Sequence, residues 1–236
     1  MIAEIVQSSL PVTLVGAGAF RKDALDAALR LAPLLVAADG GANKAVRAGR
    51  IPDHVIGDLD SVTAATRAAI PAGRILHVAE QETTDFEKCL TRIEAPHILA
   101  LGFAGPRADH TLAAWNALVR HPARRCLVLT AKDVAFAAPR RLALDLRPGT
   151  RVSLFPMARV AGEASGLRWP IGGLDFRPDG RIGTSNLAEG PVEMAFTAPG
   201  MLVILPRAAL GPALAGLRQA TAWPAAGPGR PPVRGG

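Results

Sequence analysis

Short apolar runs and helical patterns alternate through the first 130 residues. The apolar runs have the length of buried strands, and between them apolar residues recur at a spacing of three to four. The predicted strands cover residues 11–18, 34–38, 51–56, 74–78, 97–102 and 124–130. The predicted helices cover residues 22–31, 43–48, 63–70, 84–94 and 110–120. This alternation predicts an α/β fold, with an N-terminal, mainly parallel sheet and helices on both of its faces.

The pattern changes after Thr130. Short apolar segments follow one another, separated by glycine, proline and aspartate, at 134–138, 142–146, 151–155, 166–169, 183–186, 192–197 and 201–205. Such a series predicts a C-terminal all-β, sandwich-like domain. The last stretch is rich in glycine, proline and arginine, which is typical of a flexible tail. The expected units are an α/β domain over 1–131, a β-sandwich domain over 132–212 and a tail over 213–236.

Two carboxylates lie two residues apart in the segment Gly57-Asp58-Leu59-Asp60-Ser61. In an extended segment Asp58 and Asp60 point the same way and Leu59 points back. Two carboxylates on one face repel each other unless a cation lies between them, and oxygen ligands suit a hard ion such as Mg²⁺. The alternative is a solvated turn, for which this composition is also favourable.

A second polar segment, Gln81-Glu-Thr-Thr-Asp-Phe-Glu-Lys88, begins a predicted helix. Thr84 at the N-cap and Glu87 at N3 have the pattern of a capping box. At 100° per residue the helix has an apolar face and a polar face, made by Phe86, Leu90 and Ile93 and by Asp85, Lys88 and Arg92. The polar face lies near a helix N-terminus, where backbone N–H groups favour a phosphate. The alternative is purely structural: a first-turn acid, Asp85, paired with Lys88 at i+3.

Two glycine-rich turns follow predicted strands. Asp39-Gly-Gly-Ala-Asn43 comes after a buried strand, and open α/β sheets bind ligands at the carboxyl ends of their strands. A common strand–helix turn is the alternative there. Gly16-Ala-Gly18 resembles the start of a dinucleotide fingerprint, but Arg21 stands where a third glycine is needed. A tight turn is therefore the better interpretation of this second segment.

Composition narrows the class of protein. The chain has 236 residues, of which 49% are hydrophobic and 20% charged, as in globular proteins. Cys89 and Cys126 fit no metal-ligand spacing, so we expect both to be buried and reduced, in a cytoplasmic protein. We expect no signal peptide, and no membrane span, because no apolar run reaches about 18 residues.

The net charge of +7 invites a nucleic-acid interpretation, which the distribution of residues does not favour. The chain has only four lysines, its arginines are scattered, and aromatic residues make up 4% with no tyrosine. Stacking platforms for bases are therefore scarce. A basic surface would still attract a polyphosphate substrate, and we expect no nucleic-acid partner.

Five motifs occur in a fixed order: Asp39-Gly-Gly-Ala-Asn43, Gly57-Asp-Leu-Asp-Ser61, Gln81-x-Thr-Thr-Asp-Phe-Glu-Lys88, Arg107-x-Asp-His110 and Gly183-Thr-Ser-Asn186. In this order they resemble the thiamine pyrophosphokinase family. The resemblance implies an α/β catalytic domain followed by a β-sandwich domain, working as a homodimer. It also implies Mg²⁺-dependent transfer of a pyrophosphoryl group from ATP to the hydroxyl of thiamine, which gives thiamine diphosphate and AMP.

The resemblance also implies residue roles. Asp58, Asp60 and Asp85 would hold the metal and, with Asp39, form the catalytic set. ATP would be bound by Gln81, Thr83, Thr84, Lys88, Arg107 and Asp109. Thiamine would be bound by Thr184, Ser185 and Asn186 at the dimer interface, where the partner's catalytic domain supplies the phosphates. We expect an aromatic residue to stack on the ring: Trp169 is the nearest candidate by sequence, Trp223 is the alternative, and a core position for Trp169 stays open. Asp109 could equally be an N-cap of the helix that follows it. Three positions depart from the family pattern: Glu80, Pro106 and Ala114.

Two other functions stay open from the sequence. One is pyrophosphoryl transfer to another heterocyclic alcohol, such as 6-hydroxymethylpterin. The other is a basic nucleic-acid or polyphosphate binder whose acidic residues are structural. The segment from Thr83 to Lys88 argues against the binder, because such a protein has no need of three convergent carboxylates.

Overall fold

The computed structural model describes residues 6–105 and 107–224. Its helices are α1 Lys22–Leu31, α2 Gly41–Arg47, α3 Ala64–Ala69, α4 Asp85–Arg92, α5 Ala108–Arg120 and α6 Leu210–Gln219, with 3-10 turns at Ala72–Arg74 and Arg207–Ala209. Its first eight strands are β1 Val6–Gln7, β2 Val12–Val15, β3 Leu34–Ala38, β4 His54–Gly57, β5 Ile75–His77, β6 Ile93–Glu94, β7 Ile98–Leu101 and β8 Cys126–Leu129. The others are β9 Asp133–Ala137, β10 Arg141–Leu144, β11 Arg151–Pro156, β12 Val160–Leu167, β13 Asp175–Phe176, β14 Gly183–Phe196 and β15 Met201–Pro206.

Six parallel strands make the N-terminal half of the main sheet, in the order β5-β4-β3-β2-β7-β8. The chain builds outward from β2 through β3 and β4 to β5, and then returns to β7 on the other side of β2. The strand order therefore reverses between β2 and β7, and a crevice opens there at the carboxyl ends of the strands. This confirms an α/β fold with a large mixed sheet and flanking helices.

Helices cover both faces of the parallel strands because successive strand residues point to opposite sides. Val15 packs with Leu25 of α1 and Ala42 of α2 in one core. Leu14, its neighbour, belongs to the other core together with Leu90 of α4. Strands buried on both faces must be apolar throughout, which is why these strands are continuous apolar runs.

The C-terminal strands extend the same sheet. β8 pairs antiparallel with β9, and the sheet continues through β15 and β11 to β14. The first part of β14 pairs with β11, and its second part lies between β10 and β12, while β13 pairs with β12. Hydrogen bonding is thus continuous across the predicted boundary at 131/132. The exact division into an α/β and a sandwich domain remains a prediction.

The tail expected from residue 213 is wrong for its first part. Helix α6 runs to Gln219, with Leu214 and Leu217 buried, and Trp223 Nε1 donates to the carbonyl of Ala138 at 2.9 Å. Pro212 is compatible with this helix because it lies in the first turn, where backbone N–H groups have no helical partner. The remaining residues of the predicted tail, 225–236, lie outside the described residues.

Two smaller expectations can be compared directly with the structure. α4 ends at Arg92 rather than at Glu94, because Ile93–Glu94 pairs in parallel with Val6–Gln7.

Both cysteines are free and buried, and burial raises the pKa of each thiol, so both are unreactive. In the part of the chain that the structure describes, no helix has the length and apolar character needed to cross a membrane.

Candidate active site

A cleft of about 670 Å³ lies at the point where the strand order reverses. The loops after β2 and β7 form one wall, and they approach each other closely. Gly18 N donates to the Gly102 carbonyl at 3.0 Å, and a Cβ on Gly18 would lie 2.5 Å from that oxygen. The Gly16-Ala-Gly18 segment is therefore a tight turn that needs glycine for close packing. Phe103, which sequence reasoning missed, lies in the same wall against Phe86 with ring centroids 4.5 Å apart.

Three carboxylates converge at the carboxyl ends of β3 and β4. Asp39 follows β3, and Asp58 and Asp60 follow β4. One oxygen from each side chain can be chosen so that all three lie within 4.8 Å of one another. Leu59 is only 8% exposed and turns into the core as expected, but it does so with a φ of +66° and not through the extended conformation that the sequence predicted. The arrangement can hold a cation between the carboxylates, which a solvated turn would not require.

Asp39 is the most deeply placed member of this acidic cluster. Its side chain is 3% exposed, and its Oδ1 has no hydrogen-bond partner among the described residues. A buried carboxylate oxygen without a donor is costly, so a cation is the natural partner for it. Gly57 makes room for this side chain, because a Cβ there would lie 2.8 Å from Asp39 Cβ.

Lys88 is the counter-charge of the cluster. Its Nζ lies 3.0 Å from Asp58 Oδ2 and 3.3 Å from Asp85 Oδ1, and its side chain is 3% exposed. The Lys88 hydrogen bond holds the pKa of Asp58 below its usual value, and Gln81 Nε2 donates to the same carboxylate at 3.1 Å. Burial opposes the charge of the ammonium, but the two carboxylates outweigh it and raise the pKa of Lys88. Asp58 and Lys88 are therefore both ionised at neutral pH.

Asp85 differs from the sequence-based metal set. That set joined Asp85 to Asp58 and Asp60, whereas the compact group in the structure contains Asp39 instead. Asp85 lies at the first position of α4 and is connected to the cluster through Lys88. Burial raises the pKa of Asp85, and Lys88 opposes that rise. Which carboxylates hold a metal remains a prediction, and the geometry favours including Asp39.

The loop before α4 is closed by Glu80, one of the departures from the family pattern. Its carboxylate accepts from the backbone N–H of Glu82 at 2.9 Å and of Thr83 at 3.1 Å, and also from the Thr83 hydroxyl. The loop therefore presents Gln81 and Thr84 to the cleft, whose lining includes Gln81, Thr83, Thr84, Asp85 and Lys88. Sequence reasoning assigned no role to Glu80. The sequence did carry a signal for this role, because the Glu80 carboxylate precedes the backbone N–H groups of Glu82 and Thr83 by two and three residues.

The predicted capping box is confirmed for Thr84 but not for Glu87. Thr84 is the N-cap of α4, and its hydroxyl accepts from Glu87 N at 3.3 Å. The Glu87 side chain does not complete the box: it is buried and lies 2.8 Å from both Arg120 Nη1 and His121 Nε2 at the end of α5. Two cationic or donor groups from another helix are stronger partners for a buried carboxylate than one backbone N–H. Glu87 therefore connects α4 to α5.

Arg107 and Asp109 lie at the start of α5. Arg107 lines the cleft, and its Nη2 is 2.6 Å from Asp109 Oδ2, with both side chains largely exposed. Arg107 lowers the pKa of Asp109 to about 2. The helix begins after Arg107, so the alternative of Asp109 as an N-cap is wrong. Pro106 lies outside the described residues, and Ala114 is buried at the cleft.

The residues predicted to bind the acceptor form a separate surface. Thr184 and Ser185 are exposed, while Asn186 is buried and fixes the backbone of Trp169: its Oδ1 accepts from Trp169 N at 3.1 Å and its Nδ2 donates to Trp169 O at 2.7 Å. Trp169 is 53% exposed, with the Arg168 guanidinium over its ring at 5.7 Å from the centroid, whereas Trp223 is held by its indole N–H. None of the four acceptor residues is among the described residues that line the cleft.

Known proteins with similar sequences are thiamine pyrophosphokinases. Residues 25–129, which carry the acidic cluster and α4, match the family model of the thiamin pyrophosphokinase catalytic domain. The chain is 29% identical over 192 residues to thiamine pyrophosphokinase 1 of Arabidopsis thaliana, covering 67% of this chain and 72% of that protein. It is 27% identical over 190 residues to thiamine pyrophosphokinase 2 of Oryza sativa subsp. japonica, covering 66% and 71%. Over residues 25–129 the chain is therefore similar to the catalytic domain of the thiamine pyrophosphokinase family.

Solved structures of the family share the fold. Thiamin pyrophosphokinase from Candida albicans superposes with a TM-score of 0.71 at 16% identity, covering 86% of this chain and 93% of that one. The enzyme from Geobacillus thermodenitrificans gives a TM-score of 0.69 at 20% identity, covering 84% and 97%. The similarity extends beyond the catalytic-domain match, so the C-terminal strands belong to the common fold as well.

Proposed function

We propose that this chain transfers a pyrophosphoryl group from ATP to the hydroxyl of thiamine. The observation that carries the proposal is the convergence of Asp39, Asp58 and Asp60, with Lys88 beside them, in the segment that matches the thiamin pyrophosphokinase catalytic domain. In the reaction the thiamine oxygen forms a bond to the β-phosphorus, the bond from that phosphorus to the α–β bridging oxygen breaks, and AMP leaves. Such a reaction needs positioning and charge stabilisation more than covalent help from the protein.

The residues of the acidic cluster fit Mg²⁺. They offer oxygen ligands only, and the unpartnered Asp39 Oδ1 is a buried acceptor that a hard cation would satisfy. Asp39, Asp58 and Asp60 would hold the ion, with Asp85 close by through Lys88. When bound, Mg²⁺ supplies positive charge that offsets the charge of the phosphate oxygens. Lys88 favours the ionised form of Asp58, whose pKa it lowers, and its contacts hold the carboxylates of Asp58 and Asp85 in place.

The polyphosphate would lie between α4 and the start of α5. Gln81 and Thr84 present polar groups at the N-terminus of α4, where the helix dipole also favours an anion, while Thr83 lines the cleft with its N–H and hydroxyl bound to Glu80. Arg107 faces the same cleft, and its side chain is 67% exposed, so it can leave Asp109 and bind phosphate oxygens in a bidentate manner. Asp109 then acts by holding Arg107 at the cleft edge until the substrate binds.

Thiamine would bind on Thr184, Ser185 and Asn186, with its ring on Trp169. Because no described residue of that surface lines the cleft of the same chain, a homodimer in which one protomer supplies the cleft and its partner the acceptor surface fits the arrangement. The two free, buried cysteines are in keeping with the cytoplasm as its location. Neither the pterin alternative nor the nucleic-acid alternative is favoured by the family match, and an acidic cluster repels a nucleic-acid backbone.

The direct test is AMP release from ATP and Mg²⁺ by the purified protein, with thiamine and 6-hydroxymethylpterin compared as acceptors. We expect AMP and thiamine diphosphate in equal amounts with thiamine and background release with the pterin. AMP release with the pterin alone would favour the alternative acceptor, and no release with either would refute pyrophosphoryl transfer to these alcohols.

A further inference from the structure

The acceptor surface is built on an irregularity in β14. Val152 of β11 pairs with Asn186, but Leu154 pairs with Gly183, so Thr184 and Ser185 together face the single residue Ser153. This is a β-bulge, which inserts one extra residue in one strand and re-aims the side chains there. Both Thr184 and Ser185 are exposed, although neighbouring residues of a regular strand point to opposite faces.

The bulge carries backbone strain. Ser185 has a φ of +65°, in the left-handed region that glycine adopts easily and other residues adopt at a cost of the order of 1 kcal/mol. Strained residues persist only where their surroundings over-determine them. The surroundings of Ser185 should therefore include a group that holds this conformation.

Ser153 is that group. Its side chain is buried, and its Oγ accepts from Ser185 N at 3.0 Å. The same oxygen accepts from Arg151 Nη1 at 3.3 Å, and Arg151 also pairs through Nη2 with Asp133 of β9. β15 lies between β11 and β9, so the ion pair reaches across one strand and fixes the direction from which Arg151 approaches. Asp133, Arg151 and Ser153 thus form one chain of contacts that ends on the strained amide.

We propose that Ser153 is a positioning residue for the acceptor: by holding the bulge at Ser185, it keeps Thr184 and Ser185 presented beside Trp169. This inference rests on the proposed function, because it takes thiamine as the ligand of that surface. Ser153 is buried under the bulge and would not contact thiamine itself. Its removal leaves the amide of Ser185 without its partner, which lowers the fraction of molecules with a binding-competent surface.

The test compares Ser153→Ala with Thr197→Ala. Thr197 directly follows β14, and its hydroxyl donates to Ala161 O at 3.0 Å and accepts from Ala161 N at 3.2 Å, so the control removes two hydroxyl bonds to the backbone far along the chain from the bulge. For Ser153→Ala we expect a rise in the KM and Kd for thiamine of about 5- to 30-fold, with the KM for ATP and the kcat at saturating thiamine within about twofold. We expect no change in these constants for Thr197→Ala. Thiamine Kd is measured by calorimetry without ATP.

Two further variants keep the outcome decisive. Ser153→Cys keeps the volume but has a weak acceptor, so it should show the same selective loss even if Ser153→Ala fails to fold. In a Ser185→Gly background the loss caused by Ser153→Ala should shrink, because glycine holds the left-handed conformation without help. Unchanged thiamine constants in folded Ser153→Ala or Ser153→Cys, or equal losses for ATP and thiamine, would overturn the inference. Failure of the proposed function is distinct, because the unaltered protein would then not release AMP with thiamine.

Discussion

Replacing Lys88 by methionine tests the electrostatic design of the site. Lys88 is buried, and its Nζ lies 3.0 Å from one carboxylate and 3.3 Å from another. Methionine keeps most of the volume and the helix propensity but removes the charge. Asp58 and Asp85 would then face each other and the other acids without a counter-charge in the described part of the site.

The magnitude follows from these distances. At an effective dielectric constant of about 20, each pair contributes about 5 kcal/mol of Coulomb attraction. Desolvation of the ammonium offsets a large share of this, and breaking one side of a buried ion pair generally costs about 3–5 kcal/mol. For a chain of this length we expect Lys88→Met to lower the melting temperature by about 10 °C in the absence of divalent cations. Mg²⁺ should recover part of the loss, because it binds the folded acidic cluster.

The assay is thermal and urea unfolding in EDTA and in Mg²⁺, with Lys22→Met as the matched control. Lys22 pairs with Asp26 at 2.6 Å, but its side chain is 61% exposed, so its loss should cost less than about 1 kcal/mol. A Lys88→Met protein as stable in EDTA as Lys22→Met would refute the idea that Lys88 is the counter-charge. Turnover should also fall, with the KM for ATP rising more than the Kd for thiamine, and equal losses for both would point to general support of α4.

Three other predictions concern separate parts of the molecule. Gly57→Ala should displace Asp39 and raise the Mg²⁺ concentration needed for half-maximal turnover by about tenfold. Gly73→Ala is the control and should leave that concentration unchanged, because a Cβ at Gly73 meets nothing within 4 Å. Equal effects of the two substitutions would contradict the close-packing argument. Burial lowers the pKa of His97 from 6.5 to about 4, and the charge of Arg218 adds to this effect. Below pH 6.5 the unfolded chain therefore binds a proton that the folded chain does not, and this should lower the free energy of unfolding, measured in urea, by about 3 kcal/mol between pH 7 and pH 4. The loss should be smaller in His97→Phe, and an equal loss in that variant would contradict the assignment. If the active site mixes two protomers, equal amounts of inactive Asp60→Asn and inactive Ser185→Trp chains should recover about a quarter of the unaltered activity after subunit exchange, whereas no recovery, or a monomer in solution, would refute the shared site.

The core strands could be predicted because their burial leaves a direct mark on the sequence. β3, β7 and β8 are covered on both faces, so each is an uninterrupted apolar run. Within one segment, spacing was also enough: Phe86 and Leu90 are both buried on one side of α4, and Ile93, which directly follows the helix, is buried as well. These features depend on local geometry alone.

The remaining features depend on contacts between distant segments. Glu87 had an acceptable local partner at the N-cap, but the end of α5 offers it Arg120 and His121, and no local pattern shows that these residues are near. Asp39 joins the acidic cluster for the same kind of reason, since the parallel register brings β3 and β4 to one edge. The strain at Ser185 was equally hidden, because a bulge is fixed by the pairing of β14 with β11.

The most direct measurement of the central claim is turnover by Asp60→Asn, with Asp145→Asn as the matched control. Asp60 is exposed at the edge of the acidic cluster, where its only described side-chain partner is the Ser61 hydroxyl at 2.8 Å, so the fold should tolerate the change. Asp145 is an exposed carboxylate of the C-terminal half. We predict that AMP release from ATP with thiamine falls by about 100-fold or more in Asp60→Asn at saturating Mg²⁺ and stays within about twofold in Asp145→Asn. Near-normal turnover by Asp60→Asn would contradict the assignment of the acidic cluster as the metal-dependent centre of the reaction.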